Sequence, residues 1–469
     1  MARLFLGKIM LRWCDSCHTP VLGTTCACGA QTRPVAVTPP GDARPAFPDD
    51  VERINRIYEE HFGAPLIPKG HLALLNKVPA EDRMDEIVLG GAVVGAVRYI
   101  PEERCWEPLP RPSAALLMQP TRRSVVVSDG AVPSIRDEGA SVLAPGLVSI
   151  DPAVAEGDPV FIQAGTGECI GVGRAKVDAA TAGTMERGVI VRTRRNAPSV
   201  CVPGRATWED AVAANEPILT DYESASIQFV QNVAEKNPLP PTVSYSGGKD
   251  SLATLLIVKK ALGPVPLLFA DTGLELPETY ENVDAVADRY GLEVLRIHDE
   301  GAFWEEFVER GPPAVDDRWC CHVCKLHPLS RLIDEHLEEC LSFIGQRKYE
   351  SVRRMQSRRV WRNPRIPQQL SAAPIQQWTA MHVWLYIFRE KAPYNTLYER
   401  GLDRIGCYLC PSSDLATLDV IRSTFPELWS TWLEKLIWWQ ERQGLPPDWI
   451  ERGLWRRRGD ADEEGDSYN

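Results

Sequence analysis

The sequence has no long apolar run. Its longest such stretch, IVLGGAVVGAV at residues 87–97, falls well short of the roughly 20 residues that a bilayer-spanning helix requires. The opening MARLFLGKIMLRWCD reaches cysteine and charge before any apolar segment of secretory length, so the cytoplasm is the expected compartment. Positive charge is in deficit as well: 52 Lys and Arg against 64 Asp and Glu leave a formal −12. That excludes a protein coated in nucleic acid by bulk electrostatics and confines any RNA contact to local basic patches. No segment has the G-x4-G-K-[ST] pattern of the common phosphate loop. The 13 cysteines are an odd number and lack the spacing of a secreted disulfide scaffold.

What is present is a chain of 469 residues, long enough for two to four domains of about 100–200 residues. Its 44% hydrophobic and 25% charged residues are those of a soluble globular protein. The cysteines cluster, and in a reducing compartment clusters with two-residue gaps read as metal sites. CDSCHTPVLGTTCACG places Cys14, Cys17, Cys26 and Cys28 on two tight turns, able to converge on one tetrahedral zinc that would staple a segment with no core of its own. The second knuckle is tighter than usual, so unligated thiols are the alternative, and His18 is read as a surface histidine. Cys105, Cys169, Cys201 and Cys340 stand alone and are expected to be ordinary small buried residues.

A proline-rich link, TPPGDARPAFPDD, leads into residues 50–120, which mix a helical pattern with β-like runs and carry no chemical signal. Residues 121–198 change character, with short β-branched runs punctuated by glycine: SVVVSDGAVPSI, GLVSIDPAV, GDPVFIQAG, CIGVGRAKV and RGVIVRTRR. Such spacing predicts a small β-barrel with little helix. The pieces resemble, in order, a PUA domain, the compact RNA-binding module of tRNA-modifying enzymes and pseudouridine synthases. The resemblance implies contact with structured RNA, and Arg122, Arg123, Arg192, Arg194 and Arg195 at its two sequence ends are candidates for phosphate contacts. A barrel kept as a spacer, with solvated arginines, is the alternative. A helical connector is read at 207–240.

PTVSYSGGKDSLATLLIVKKAL is an apolar-alternating strand, a serine–glycine turn and an amphipathic helix. Gly247 and Gly248 let the backbone approach a phosphate, so that successive amides and the helix N-terminus face its oxygens. Ser246 and Ser251 add hydroxyls, Lys249 adds charge, and Asp250 is expected to cap the helix or to help hold Mg2+. The stretch VPLLFADTGLELPETYENVDAVADRYGLEVLRIHDEG continues as strand, loop, helix, strand, the rhythm of a doubly wound parallel sheet with Asp271, Thr272 and Gly273 at a carboxyl end.

The loop resembles the PP-loop of the adenine nucleotide alpha-hydrolase superfamily. DTGLELPET, FIGQRKYESVRR and WTAMHVWLYIFREKAPYNTLYERGLDRIGCYLCP then resemble, in order over 244–413, the phosphoadenosine phosphosulfate (PAPS) reductase family. The resemblance implies a multidomain α/β protein with a Rossmann-like catalytic domain at 241–413. It also implies a nucleotide site that adds Gly345, Arg347, Glu350, Ser351 and Arg354 to the loop residues. WCCHVC and GCYLCP look like the Cys320, Cys321, Cys407, Cys410 set that holds a four-iron four-sulfur cluster in that family; zinc and free thiols are the alternatives. Cys324 is extra, either a substitute ligand or a sulfur-handling thiol, and is grouped with Lys249 and Asp250 as catalytic.

Two departures stand out. His382 occupies the position where the family usually has aspartate, and no cysteine follows Cys410, although reductases of the family attack sulfur with a cysteine near the C-terminus. Residues 347–365 carry eight Arg or Lys and one acid, more than one nucleotide can use, so Arg358, Arg359, Arg362 and Arg365 are read as a guide for an RNA backbone or a solvated face. Residues 414–458 read as a helical extension whose tryptophans pack, and 459–469 as an acidic disordered tail. With a zinc ribbon at 1–35, the order of domains resembles archaeal members of the family.

The expectation is an enzyme using ATP, or the sulfonucleotides PAPS or adenosine phosphosulfate (APS), with Mg2+, a four-iron four-sulfur cluster and structural Zn2+. The first reading is ATP-dependent sulfur transfer to tRNA or another structured RNA; the second is sulfonucleotide reduction to sulfite; the third is a non-catalytic RNA-binding protein. Expected partners are the RNA, a sulfur donor or reductant protein, and a second copy of the chain as a homodimer, with no membrane.

Overall fold

The computed structural model describes residues 9–196, 198–298 and 301–458, and the expected acidic tail lies outside them. The described residues form two compact units that divide between Asn215 and Glu216. The boundary falls inside the helix Trp208–Lys236.

In the first unit, three short antiparallel strands, Arg12–Cys14, Thr19–Val21 and Arg33–Pro34, hold Cys14 at a strand end and Cys17, Cys26 and Cys28 in the turns between them. Next, the helix Pro48–Phe62 covers a five-stranded antiparallel sheet with Ile54, Ile57, Tyr58 and Phe62, whose spacing puts all four on one face. The apolar run at 87–97 is a hairpin. Strands Met84–Leu89 and Ala92–Ile100 reverse at Gly90 and Gly91, whose φ of 54° and 70° is left-handed territory that glycine enters without strain. Cys105 is exposed at the start of the next strand, which corrects the expectation of burial: the chain has just left the exposed turn before it.

A six-stranded sheet follows, ordered Val142–Leu143, Val189–Arg195, Cys169–Ala175, Pro159–Ala164, Ser124–Val127, Leu147–Ile150. One pair, Ser124–Val127 with Pro159–Ala164, is parallel. Val125, Val127, Val160, Ile162, Ile170 and Ile190 fill its core.

The second unit is built on β1 (Pro241–Ser244), β2 (Leu267–Asp271), β3 (Val294–His298), β4 (Cys340–Ile344), β5 (Val360–Asn363) and β6 (Ile366–Ala372). Their order is β3-β2-β1-β4-β6-β5, parallel except for β5 against β6. The chain moves outward from β1 to β3 and then returns to β1's other side with β4. In a doubly wound sheet the crevice beyond the carboxyl ends at that reversal is where ligands bind. Helices α1 (Lys249–Leu262), α2 (Pro277–Tyr290) and α3 (Ala380–Arg389) frame it.

A single helical run from Trp319 to His336 is α-helical at both ends, with Cys320 and Cys321 in its first turn, and π-helical at His322–Leu326, which holds Cys324. The C-terminal helix Pro426–Gln443 buries Trp432 fully, but Trp438 is 39% exposed, so the expectation that every tryptophan there packs inward holds only in part. Trp438 faces out because the helix has solvent on its other side. No helix among the described residues is long and apolar enough to cross a membrane.

Candidate nucleotide and thiolate site

The turn after β1 is shaped by what surrounds it. Gly247 has φ 71°, and a Cβ there would lie 2.9 Å from Thr279 Cγ2. Ser251 Oγ donates to Gly248 O at 2.8 Å and accepts from Ser246 N at 3.3 Å, so this serine serves the loop's own backbone. Ser246 is exposed. Gly247 and Gly248 make no hydrogen bond through their amides among the described residues. Two open amides at the start of a buried helix are a phosphate-binding arrangement.

Asp250 does not cap α1; the capping residue is Gly248. Its carboxylate is instead held between two cations, Oδ1 accepting from Arg347 Nε at 2.7 Å and Oδ2 from Lys249 Nζ at 2.8 Å. Burial alone would raise its pKa, but Arg347 and then Lys249 overcome burial and keep it below the ordinary carboxylate value. Burial likewise opposes the charge on Lys249, and Asp250 restores it and raises its pKa. Each oxygen of Asp250 accepts one of these bonds and keeps a second lone pair.

Arg347 comes from the loop after β4, which lies beside the loop after β1 because the two strands pair, Ser244 opposite Ile344. Gly345 makes the approach possible: a Cβ there would fall 2.5 Å from the carbonyl carbon of Asp250. Glu350 reaches back to Arg347 N at 2.8 Å and Ser351 Oγ accepts from Arg354 N at 3.2 Å, so both cap the short helical turns that follow. Arg354 is exposed and pairs with Glu350. Of the later arginines, Arg359 stacks on Phe229 at 3.6 Å and bonds the carbonyls of Ala373 and Pro374, Arg362 bonds Pro367 O, and Arg365 lies against His322. Arg359 is thus engaged with its own unit, while Arg358, Arg362 and Arg365 remain exposed.

After β2, Asp271 Oδ1 accepts from Gly273 N at 3.0 Å and Tyr280 OH at 2.8 Å, while Oδ2 meets His298 Nδ1 at 3.1 Å. Glu275 folds back onto Thr272, taking its N–H at 3.0 Å and its hydroxyl at 2.8 Å. The same hydroxyl is 3.6 Å from Cys407 Sγ. That contact joins the rim of the nucleotide crevice to the second cysteine group.

Around that group the charges are arranged. Cys320 and Cys321 share a hydrogen bond that raises the first thiol's pKa, and lowers the second's to about 6 with the help of Lys325, Arg318 and Arg404 against burial. Cys407 is pushed up by burial, with Lys325 opposing. The nearby thiolates, Cys407 foremost, raise Lys325. Cys321, Cys407 and Cys410 each act on Cys320, and Lys325 and Arg404 respond to the same thiolates, but among the described residues the thiols that gather within 4.8 Å of one another are the N-terminal four, not these. Cys324 is different: 2% exposed, it belongs to an apolar cluster with Leu274, Phe303 and Trp319. It can meet a substrate only if that cluster opens.

The N-terminal thiols fit zinc by distance. Cys14–Cys28 and Cys17–Cys26 Sγ pairs are each 3.8 Å apart, and all four sulfurs lie within 4.8 Å of one another. Zn–S bonds of about 2.3 Å make a tetrahedron with edges of about 3.8 Å. His18 Nδ1 lies 3.3 Å from Val202 O, apart from the set.

In the six-stranded sheet, Arg122, Arg192, Arg194 and Arg195 are exposed and make no ion pair among the described residues. Arg194 is the extra residue of a bulge, since Val172 opposes Arg195 and Gly173 opposes Thr193. Arg123, by contrast, bonds Asp158 at 2.9 Å and His61 O at 2.9 Å, so it fastens the domain to the preceding helix.

Residues 240–413 match the family model described as the phosphoadenosine phosphosulfate reductase domain, and 123–196 match that of the PUA domain. A Methanocaldococcus jannaschii protein, MJ0066, is 40% identical over 468 residues, 97% of each chain. The chain belongs to the PAPS reductase family, in a PUA-bearing form found in archaea. An adenosine 5'-phosphosulfate reductase of Bacillus pumilus is 28% identical over 178 residues, 37% of this chain and 75% of that one. Among solved structures, the PAPS reductase of Candida auris aligns over 41% of this family member and 93% of its own chain, at 23% identity and a TM-score of 0.33.

Against the family pattern, His382 is 6% exposed and stacks on Tyr222 at 4.2 Å. Thr379 N–H donates to its Nδ1 at 3.3 Å, which puts the neutral ring's proton on Nε2, a buried atom with no partner among the described residues. Burial, and then Arg347, lower its pKa from 6.5 to about 3. A histidine depressed in this way stabilises the fold fully above pH 6.5 and loses that contribution as pH falls toward 3. His382→Asn, whose Oδ1 can take the place of Nδ1, is expected to flatten the loss of thermal stability below pH 6.5 by about 1.4 kcal/mol per pH unit. Parallel melting curves for variant and wild type would refute this.

Proposed function

We propose that the chain is an adenine-nucleotide-dependent enzyme that modifies structured RNA, with ATP as the nucleotide and tRNA as the favoured substrate. In this reading a carbonyl oxygen of the target base attacks the α-phosphorus of ATP and pyrophosphate leaves. Hydrosulfide from a sulfide-level donor then adds at the activated carbon, and AMP departs as the C=S bond forms, with a proton lost and no change of oxidation state. Adenylylation turns a poor leaving oxygen into a good one, which is the reason to consume ATP. The open amides of Gly247 and Gly248, with Lys249, would carry the phosphates, and Arg347 would hold Asp250 so that Lys249 stays charged.

A four-iron four-sulfur cluster on Cys320, Cys321, Cys407 and Cys410 would supply a site for binding or redox handling of sulfur. Lys325 and Arg404 would balance its charge. Zinc on Cys14, Cys17, Cys26 and Cys28 would be structural.

The observation that carries the reading is the PUA domain, with unpaired Arg192 and Arg194, on the same chain as the nucleotide loop. Enzymes that act on a small sulfonucleotide have no evident use for an RNA-binding module. The second reading, reduction of PAPS or APS to sulfite, is favoured by the Bacillus pumilus relative that bears the reductase name.

The decisive assay incubates anaerobic protein either with ATP, Mg2+, a sulfide donor and bulk tRNA, or with PAPS or APS and a dithiol reductant. Pyrophosphate and a sulfur-containing nucleoside are expected from the first mixture; sulfite from the second would reverse the order of the two readings. Arg192→Ala with Arg194→Ala should weaken tRNA binding and reduce the slope of log affinity against log salt by about 0.7–0.9 per lost phosphate contact. An unaltered slope would leave the arginines merely solvated.

A further inference from the structure

Lys249 is the first residue of α1, so its amide is among the four that have no acceptor within the helix. It does not point to the crevice. It donates to Tyr398 OH at 2.9 Å, and Tyr398 is 1% exposed, its ring set edge-on against the buried Trp384 at 4.8 Å and 89°. Three residues earlier, Asn395, also 1% exposed, donates from Nδ2 to Thr279 Oγ1 at 3.3 Å. Thr279 is the residue whose methyl stands 2.9 Å from where Gly247 would carry a Cβ. The turn Thr396–Tyr398 therefore holds the loop directly through the Lys249 amide, and its capping residue Asn395 holds Thr279, whose side chain flanks Gly247.

From that turn the chain runs on to Cys407 and Tyr408. Tyr408 N–H donates to Leu274 O at 2.9 Å, beside the Thr272 hydroxyl contact with Cys407. Residues 395–408 thus strap together the two loops, after β1 and after β2, that edge the crevice.

We infer that Tyr398 is a positioning residue for the nucleotide loop: its hydroxyl oxygen fixes the Lys249 amide, and so sets the direction in which the Gly247 and Gly248 amides face a phosphate. This rests on the reading that the loop binds an adenine nucleotide by its phosphates. Tyr398→Phe keeps the ring and its packing but strands a buried N–H, which costs enough to re-aim a short loop.

The test uses the full chain and three probes by calorimetry: ATP with Mg2+, inorganic pyrophosphate, and adenosine. Tyr398→Phe should weaken ATP and pyrophosphate alike, by about tenfold, and leave adenosine unchanged. Tyr394→Phe, which loses a hydroxyl bonded to Glu399 in the same aromatic cluster, should leave all three unchanged. General loosening of the domain would weaken adenosine too, so equal losses on all three probes overturn the inference. Unchanged or tighter pyrophosphate binding by Tyr398→Phe also overturns it, since Tyr398 would then be idle or would be withholding a phosphate donor. Should Tyr398→Phe fail to fold, Asn395→Asp, which loses the donation to Thr279, must show the same split between pyrophosphate and adenosine. Failure of wild-type protein to bind ATP, PAPS or pyrophosphate would instead sink the nucleotide reading itself.

Discussion

Gly345→Ala should cost the protein nucleotide affinity on the order of 100-fold, together with ~3 kcal/mol of stability. The added Cβ would sit 2.5 Å from Asp250 C, 2.6 Å from Asp250 O and 2.6 Å from Ser251 N, all main-chain atoms of the first turn of α1. No side-chain rotation relieves that, so either α1 or the loop after β4 must move. Both are tied to neighbouring central strands, β1 and β4, in register from Pro241 with Leu341 to Ser244 with Ile344, which leaves the movement to the loops. Parting them stretches the 2.7 Å bond between Arg347 and Asp250, a pair buried enough that a lost partner leaves an uncompensated charge. Calorimetric titration with ATP and thermal melting measure the two effects. Wild-type affinity in the variant would mean that the loops can separate freely and that their close approach has no part in binding.

Cys26→Ser should abolish metal binding at the proposed N-terminal zinc site and unfold the segment around it. The three strands there are two or three residues long, and the cluster beneath them is little more than Cys14, Val21, Cys26 and Ala214. So small an apolar content cannot offset the entropy of ordering some 25 residues, whereas structural zinc supplies about 10 kcal/mol in small modules. Metal analysis should fall from about one zinc per N-terminal site to near none, and proteolysis should begin within the segment. Nucleotide affinity should stay as it was. A variant that keeps its zinc and its protease resistance would show that three thiolates suffice or that the segment stands without metal.

The parts of the molecule that were legible beforehand are those encoded locally. A strand, a serine–glycine turn and a helix in sequence are enough to place the phosphate loop, because the backbone geometry of Gly247 and Gly248 is a property of neighbours. The cysteine spacing was likewise enough to bring four sulfurs together on a tetrahedral edge of 3.8 Å. Asp250 was misread as a cap because the partner that claims it, Arg347, lies 97 residues on, brought near only by the pairing of β1 with β4. Tyr398, at 149 residues' separation, was invisible for the same reason. Arg359 looked like one more member of a basic run; only the packing of the connector helix, with Phe229 under its guanidinium, gives it a different task. A signal for Asp250 was present all the same: a Lys–Asp pair opening an otherwise apolar helix must be buried, and a buried carboxylate needs its cations.

The helical run from Trp319 to His336 serves two separate interiors. Trp319 and Cys324 belong to the cluster that surrounds the thiolates, while Leu332 and Ile333 pack with Leu268, Cys340 and Ile366 under the sheet. Between them the π-helical stretch His322–Leu326 inserts extra length into a turn. Since each residue advances a helix by about 100°, the insertion changes the phase of the rod part-way along. One continuous helix can then turn a cysteine face toward the thiol cluster and a leucine–isoleucine face toward the sheet, directions that an unbroken α-helical repeat would not bring into line. The run carries a built-in offset that joins the placement of the thiols to the sheet that carries the nucleotide loop.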